Sequence, residues 1–216
     1  MKLFIDSADI NEIKAVAELA ICDGVTTNPS LVAKTNQDFK SLLREVSNII
    51  AGPLSAEVVS SDYTSMLEEA EQLRLINENI VIKLPLTPNG LKACKSLSGK
   101  GIKTNVTLCF HAGQALLAAK CGATYISPFI GRLDDISQDG MQLIRDIKTV
   151  YKNYNFDTKI LAASIRHPRH IIESALAGAD VATCPYKILM QLYQHPLTES
   201  GLEQFAMDWE KSGQKI

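Results

Sequence analysis

The segment that decides the fold reads Ile-Val-Ile-Lys-Leu-Pro-Leu-Thr-Pro over residues 80–88. Apolar residues in direct succession are typical of a strand that is covered on both faces. Thr87 followed by Pro88 indicates a helix start, because the hydroxyl caps the first turn and proline suits the first helical position. The segment therefore predicts a buried strand that is followed at once by a helix.

The same alternation runs through the whole chain. Strands are predicted at eight places, over residues 3–6, 25–28, 56–60, 80–84, 103–108, 125–130, 159–164 and 181–184. Helices are predicted between them, over 10–19 (with Ser7 as its N-cap), 63–77, 112–120, 140–151 and 168–177, and one after Thr87. Repeated strand-then-helix units without a long linker favour an α/β fold, a single (β/α)8 TIM barrel over residues 1–216. An open doubly wound sheet is the alternative, but no G-x-G-x-x-G motif follows the first strand.

Composition and net charge disfavour nucleic-acid-binding, secreted and membrane-spanning proteins. The chain has a net charge of −2 and no basic run, which disfavours a nucleic-acid partner. Asp6 and Asp9 interrupt the apolar core that a signal peptide requires, and no apolar stretch reaches the roughly 18 residues of a membrane span. Five dispersed cysteines without a C-x-x-C pair are typical of reduced thiols. We therefore expect a cytoplasmic protein without membrane partners.

The C-terminal segment carries a different pattern. Ser200 and Glu203 form a predicted capping box, which starts a helix over residues 200–212. Leu202, Phe205 and Trp209 then make one apolar stripe at helical spacing. Two interpretations stay open: the stripe packs on its own barrel, or it docks on a neighbouring subunit.

Polar residues recur where the predicted strands end, which is where barrel enzymes hold their active sites. They are Asp6, Thr26, Asn28, Glu57, Lys83, Asn105, Thr107, Ser127, Ser164 and Arg166. Several form pairs two residues apart, and residues i and i+2 share one face of a strand. We therefore expect these pairs to point together into the barrel mouth.

Lys83 is the most informative of these residues. It lies among apolar neighbours in its strand, so its amine is predicted to be desolvated, paired or reactive. Desolvation disfavours the charged form of an amine, and a neutral amine attacks carbonyl carbons. The alternative is a charged edge-strand residue that prevents aggregation, but a closed barrel has no edge.

Nearby acids and amides complete the predicted chemistry. Asp6 and Glu57 are candidate general acids and bases, which Schiff-base formation needs. Asn105 and Thr107 are candidates for holding a water. The alternatives are a helix-capping role for Asp6 and a surface position for Glu57.

Three further residues form a predicted anion site. Arg132, Ser164 and Arg166 follow late strands, where barrels often bind phosphate, and arginine forks suit phosphate oxygens. The alternative is ordinary ion pairing, for example of Arg132 with Asp134 or Asp135. His167 and His170 lack an obvious third ligand, so no metal site is predicted.

Four motifs together resemble the transaldolase/fructose-6-phosphate aldolase family, in its small-subunit branch. They are Val-Thr-Thr-Asn-Pro-Ser at 25–30, Ile-Val-Ile-Lys-Leu-Pro at 80–85, Thr-Asn-Val-Thr-Leu at 104–108 and Ser-Pro-Phe-Ile-Gly-Arg at 127–132. The resemblance covers nearly the whole chain. It implies phosphosugar substrates, no cofactor or metal, and a ring-shaped homodecamer in which the C-terminal helix reaches a neighbouring subunit.

The resemblance also implies a role for each candidate residue. Lys83 forms a Schiff base with the C2 ketone of fructose 6-phosphate or sedoheptulose 7-phosphate, and Asp6 takes the C4 hydroxyl proton. The other implied roles are water held by Glu57 and Thr107, sugar or intermediate contacts from Asn28 and Asn105, a substrate lining that includes Thr26, Ser127 and Phe129, and phosphate bound by Arg132, Ser164 and Arg166.

Two activities occur in this family, transaldolase and fructose-6-phosphate aldolase. Glu57, Phe129 and the Asn-x-Thr of residues 105–107 favour transaldolase of the pentose phosphate pathway, since aldolases typically carry glutamine and tyrosine at the first two positions. Phe129 has no proton to donate to an enamine. Fructose-6-phosphate aldolase stays the alternative; a barrel that binds phosphosugars without turnover and a metal-dependent barrel enzyme are the remaining ones.

Overall fold

The computed structural model describes residues 1–215, and their eight parallel strands close into a barrel. The strands are β1 (Lys2–Asp6), β2 (Gly24–Thr26), β3 (Leu54–Glu57), β4 (Ile80–Pro85), β5 (Thr104–Cys109), β6 (Tyr125–Pro128), β7 (Lys159–Ala162) and β8 (Val181–Cys184). Each strand pairs with its neighbours in chain order, and β8 pairs with β1 through Lys2 opposite Val181. The predicted (β/α)8 barrel is confirmed, and the open-sheet alternative is wrong.

Helices follow every strand. They are α1 (Ile10–Glu18), α2 (Pro29–Val32), α3 (Phe39–Ile49), α4 (Tyr63–Arg74), α5 (Pro88–Gly99), α6 (Ala112–Lys120), α7 (Ile130–Asp134), α8 (Gly140–Asn153), α9 (Pro168–Leu176), α10 (Tyr186–Gln191) and α11 (Pro196–Ser212). Four of these helices, α2, α3, α7 and α10, were not predicted from the sequence. Three of these are too short to show a helical period, whereas Leu42, Leu43 and Val46 of α3 are a buried apolar stripe that could have been found.

Several predicted boundaries are wrong. The strands predicted over 25–28, 56–60, 125–130 and 159–164 end earlier, at Thr26, Glu57, Pro128 and Ala162. After Thr26 the chain turns into a helix start, where Asn28 accepts a hydrogen bond from the Leu31 amide at 3.0 Å. An apolar or β-branched run continues past the last ladder hydrogen bond, so composition alone does not mark the end of a strand.

Two predicted helix caps are also wrong. Asp9 caps α1 by accepting from the Asn11 amide at 2.8 Å, while the Ser7 hydroxyl donates to Glu12. The last helix starts at Pro196 with His195 as its cap, so Ser200 lies inside α11. Proline at the first helical position outweighed the capping box four residues later.

The barrel interior is built in two layers. The lower one is an apolar floor of Phe4, Val81, Tyr125, Leu161 and Val181, with Phe4 and Tyr125 in edge-to-face contact at 6.3 Å between ring centroids. A Cβ on Gly24 would come within 2.8 Å of the Phe4 ring, so only glycine leaves room for it. Two residues further along, four of these strands carry polar side chains, namely Asp6, Lys83, Ser127 and Thr183. The fifth strand, β7, is followed by Ala163 at this position. The floor therefore seals the barrel beneath a polar layer at its mouth.

The last helix, α11, lies on the outside of the molecule. None of its residues, all of which the structure describes, is buried. Leu202 is 64% exposed and Phe205 is 73% exposed. The interpretation that this stripe packs on its own barrel is therefore wrong. Over residues 1–215 the helices are all too short or too polar to cross a membrane.

Candidate active site

The polar layer at the barrel mouth is set by strand register. Glu57 of β3 lies beside Lys83 of β4, and Lys83 lies beside Asn105 of β5. In parallel strands, paired residues point to the same face. Three neighbouring strands therefore bring an acid, an amine and an amide to the same level of the barrel.

Lys83 is buried and held at two points. Its Nζ lies 3.0 Å from Oε2 of Glu57 and donates a hydrogen bond of 3.0 Å to the carbonyl oxygen of Thr27. The side chains of Lys83 and Glu57 are 6% and 14% exposed. Lys83 is thus not an edge-strand charge, and Glu57 is not a surface acid. A contact of this length allows the carboxylate to accept a proton from the amine.

Asp6 ends a chain of hydroxyl groups. The Thr26 hydroxyl donates to Oδ1 of Asp6 at 2.7 Å, and its oxygen lies 2.7 Å from the Thr183 hydroxyl. Since Thr26 donates to Asp6, Thr183 donates to Thr26. Burial raises the pKa of Asp6, although the Thr26 hydrogen bond and the charge of Lys83 offset part of this effect. A raised pKa suits a carboxylate that takes up a proton during turnover.

Asn105 lies below the cavity and orients its neighbours. Its Oδ1 accepts from the Ser127 hydroxyl at 2.7 Å, and its Nδ2 donates to the Ser55 hydroxyl at 3.2 Å. The Thr107 hydroxyl, two residues along β5, is buried without a hydrogen-bond partner among residues 1–215. A buried hydroxyl of this kind needs a partner from outside the protein, which fits a bound water or substrate.

A cavity of about 180 Å³ opens at the mouth above Lys83. Its walls contain nine of the predicted residues: Asp6, Thr26, Asn28, Lys83, Ser127, Phe129, Arg132, Ser164 and Arg166. Glu57, Asn105 and Thr107 do not line it. Glu57 lies behind Lys83, and its outer side faces surface grooves that include Pro29 and Val59.

The far end of the cavity is formed by α7 and the loop after β7. The guanidinium carbon of Arg132 lies 4.9 Å from the centroid of the Phe129 ring, and that ring contacts Phe110 edge-on at 6.0 Å. The aromatic face restrains the arginine while leaving its charge available. Ser164 has a φ of 59°, an unusual backbone conformation for a residue with a side chain.

Main-chain contacts join these two segments. The amide of Gly131 donates to the carbonyl oxygen of Ser164 at 3.1 Å, and a Cβ at Gly131 would lie 2.0 Å from that oxygen. Arg166 forms an ion pair of 2.7 Å with Asp135, while Asp134 contacts His170 at 2.9 Å. The two acids that the sequence offered as partners of Arg132 are thus used by Arg166 and His170.

Several residues of this site were not predicted from the sequence. Thr183 lines the cavity, Ser55 supports Asn105, and the Thr27 carbonyl holds Lys83. The hydroxyl in Val-Ala-Thr-Cys of β8 was a detectable signal, since it is the one polar residue in a buried strand. A backbone carbonyl carries no such signal, because every residue has one.

The geometry combines an amine, two acids and a cationic end in one barrel mouth. Such a set suits covalent chemistry on a carbonyl of an anionic substrate. Among residues 1–215, His, Cys, Asp and Glu nowhere form a group of three that could hold a metal ion. The fold and site thus define a (β/α)8-barrel enzyme scaffold with a buried lysine–carboxylate pair.

Comparison with known proteins gives the family. Residues 3–216 match a family model described as transaldolase/fructose-6-phosphate aldolase. A protein of Geobacter metallireducens named probable transaldolase is 60% identical over 211 residues, covering 98% of this chain and 99% of that protein. A probable transaldolase of Thermoanaerobacter sp. is 55% identical over the full length of both chains. The chain belongs to the transaldolase/fructose-6-phosphate aldolase family.

One solved structure with low sequence identity shares the fold. A mutant flavocytochrome b2 with pyruvate bound superposes with a TM-score of 0.64, covering 86% of this chain and 57% of that one. The sequences are 8% identical, so this likeness concerns the barrel alone.

Proposed function

We propose that this protein is a transaldolase that transfers a dihydroxyacetone unit between phosphosugars through a Schiff base on Lys83. The donor is sedoheptulose 7-phosphate or fructose 6-phosphate, and the acceptor is glyceraldehyde 3-phosphate or erythrose 4-phosphate. The observation that carries the proposal is the buried Lys83, in contact with Glu57 at 3.0 Å, at the base of a cavity that ends at two arginines.

The first step is attack of the Lys83 amine on the C2 ketone. Glu57 takes a proton from the amine, and loss of water from the carbinolamine leaves an imine. The unpartnered Thr107 hydroxyl and Glu57 are suited to hold that water. The Thr27 carbonyl, 3.0 Å from Nζ, aims the amine before the sugar arrives.

The second step breaks the C3–C4 bond. Asp6 takes the proton of the C4 hydroxyl, the electron pair of the bond moves toward the imine, and an aldose phosphate leaves. The remaining three carbons stay on Lys83 as an enamine. An incoming aldose phosphate is attacked by this enamine, Asp6 returns the proton, and water hydrolyses the imine to release the new ketose.

The remaining cavity residues orient the sugar and its phosphate. Asn28 uses Oδ1 to cap α2, which leaves its amide hydrogens for sugar hydroxyls. Asn105 acts by fixing the Ser127 hydroxyl at the cavity wall. Arg132, Ser164 and Arg166 bind the phosphate at the far end, where cationic forks match phosphate oxygens.

The second candidate is fructose-6-phosphate aldolase, the other activity in the family description. It would require protonation of the enamine, which releases free dihydroxyacetone. Phe129 lines the cavity and has no acidic proton, so the enamine persists until an acceptor arrives. This favours transfer over release.

The test is release of glyceraldehyde 3-phosphate from fructose 6-phosphate, with and without erythrose 4-phosphate. Release that depends on the acceptor is expected. Equal release without acceptor would identify an aldolase and refute the argument from Phe129. No release in either case, together with no borohydride-trapped adduct, would refute the proposed chemistry.

We propose further that the protein acts in the pentose phosphate pathway, in the cytoplasm and as a homodecamer of two pentameric rings. The five cysteines are free, as in a reducing compartment. The exposed apolar stripe of α11 supports assembly, since such faces are normally covered by a partner. Sedimentation analysis of the full chain, and of a Phe205→Glu variant that should dissociate, tests the assembly.

A further inference from the structure

His170 is a buried histidine outside the cavity that uses both of its ring nitrogens. It lies in the first turn of α9 and is 4% exposed. Its Nδ1 accepts a hydrogen bond of 3.3 Å from the backbone amide of Arg166, and its Nε2 lies 2.9 Å from Oδ2 of Asp134. The ring also contacts His167, with 3.7 Å between centroids.

These contacts define the protonation of the ring. The Arg166 amide is a donor, so Nδ1 must be the unprotonated acceptor. The proton then resides on Nε2 and is donated to Asp134. Burial, together with the neighbouring His167, lowers the pKa of His170, even though Asp134 acts in the opposite sense. The imidazole is therefore neutral and bound in one tautomer.

The two partners of His170 belong to the two segments that supply the cationic end of the cavity. Arg166 follows β7, whereas Asp134 ends α7, two residues after Arg132. Asp134 also accepts from the Gly140 amide at 3.0 Å, which fixes it at the start of α8. One imidazole thus connects the backbone of the second arginine to the helix of the first.

We propose that His170 is a positioning residue for phosphate recognition, because it sets the spacing between Arg132 and Arg166. It does not touch the substrate. Its hydrogen bonds hold the loop after β7 against α7, so that both guanidinium groups face the same end of the cavity. This inference rests on the proposed function, which places the phosphate group there.

Four variants separate the two contacts. His170→Leu removes both, His170→Asn keeps an acceptor near the Nδ1 position, and His170→Gln keeps a donor that reaches Asp134. Asp134→Asn acts from the other side, because an amide offers one acceptor oxygen where the carboxylate offers two, so it cannot accept from both the Nε2 proton and the Gly140 amide. Asp134 is partly exposed, so this variant does not disturb the core. Ser174→Ala, a buried change on the same helix, is the matched control.

Two measurements are made on each full-length variant. Inorganic phosphate is titrated as an inhibitor of the reaction with fructose 6-phosphate, and unphosphorylated dihydroxyacetone is trapped on Lys83 with borohydride. In His170→Leu and Asp134→Asn, we expect the inhibition constant of phosphate to rise about tenfold, the effect of one lost buried hydrogen bond. The inhibition constants of His170→Asn and His170→Gln should lie between those of these two variants and that of the wild type. The amount of dihydroxyacetone trapped on Lys83 should equal the wild-type amount in all four variants. The control Ser174→Ala should match the wild type in both measurements.

The outcomes distinguish the inference from the function on which it rests. An unchanged inhibition constant in folded His170→Leu and Asp134→Asn would overturn the positioning role. A parallel loss of trapping would do so as well, since a general scaffold role affects both measurements. If phosphate does not inhibit the wild type, the anion site itself is wrong and the inference fails with it.

Discussion

Replacing Lys83 with methionine tests both the burial of the ion pair and the identity of the nucleophile. Methionine is of similar length and apolar, so the change removes the charge with little loss of packing. Removing one partner from a buried ion pair costs about 3–5 kcal/mol, because the remaining charge is left uncompensated. Glu57 is 14% exposed and faces surface grooves, which places the expected cost at the lower end, about 3 kcal/mol.

The cost should appear as a lower midpoint of thermal unfolding. For a chain of about 200 residues, each kcal/mol shifts Tm by about 2–4 °C, so a decrease of about 6–12 °C is expected. Adding Glu57→Gln to Lys83→Met removes the uncompensated charge of the carboxylate, so most of the lost Tm should be regained. The two single changes are therefore expected to be non-additive in the double variant.

The assay combines circular dichroism melts of the four proteins with borohydride trapping of dihydroxyacetone, read by peptide mass spectrometry. The wild type should carry the adduct on the peptide with Lys83, and Lys83→Met should carry none. An adduct that persists in Lys83→Met would refute the assignment of the nucleophile. If the decrease in Tm of the double variant equals the sum of the decreases of the two single variants, the explanation by an uncompensated buried charge is refuted.

Three further changes test other parts of the site. Phe129→Tyr supplies a phenol to the enamine, so release of free dihydroxyacetone without acceptor should rise about tenfold or more; no gain would refute the argument from position 129. Asp6→Asn should lower kcat by at least about 100-fold while raising Tm at neutral pH. The pKa of Asp6 is raised in the folded protein, so its ionised form lowers stability. The ionised Asp6 therefore lowers the stability of the wild type at high pH, and this loss disappears as pH falls through the raised pKa toward the ordinary pKa of an aspartate. A Tm difference between wild type and Asp6→Asn that stays constant at all pH values would contradict this. Gly131→Ala places a Cβ 2.0 Å from the Ser164 carbonyl oxygen, so we expect a loss of about 2–3 kcal/mol and weaker phosphate inhibition. Gly99→Ala, at a position with open space around the new Cβ, should cause neither loss.

Much of the barrel could be predicted from local pattern. Apolar strands such as the one around Lys83 alternate with capped helices along the chain. Because strand–helix–strand connections are right-handed, eight such units favour a closed parallel barrel. Ser127 with Phe129 and Ser164 with Arg166 were predicted to face the barrel mouth together. All four line the cavity, although Phe129, Ser164 and Arg166 lie past the ends of β6 and β7 and do not share a strand face. These features depend on neighbours in the chain, and the sequence contains them directly.

Strand ends and caps were predicted less well. Asn28 was assigned to a strand but caps a helix, and Ser7 was assigned a cap that Asp9 supplies. Several residues in one short segment have the right chemistry for a cap. The choice among them depends on where the ladder hydrogen bonds stop, which packing between strands decides.

The sequence by itself determined that a lysine, two acids and several hydroxyls lie at the strand ends of a barrel. Only the tertiary structure decided which of them touch: that Glu57 pairs with Lys83, that Thr183 reaches Asp6 through Thr26, and that His170 joins the two arginine segments. The physical reason is that such contacts form between residues far apart in the chain. They depend on strand register and barrel closure, and no local periodicity encodes the distance between two side chains on different strands.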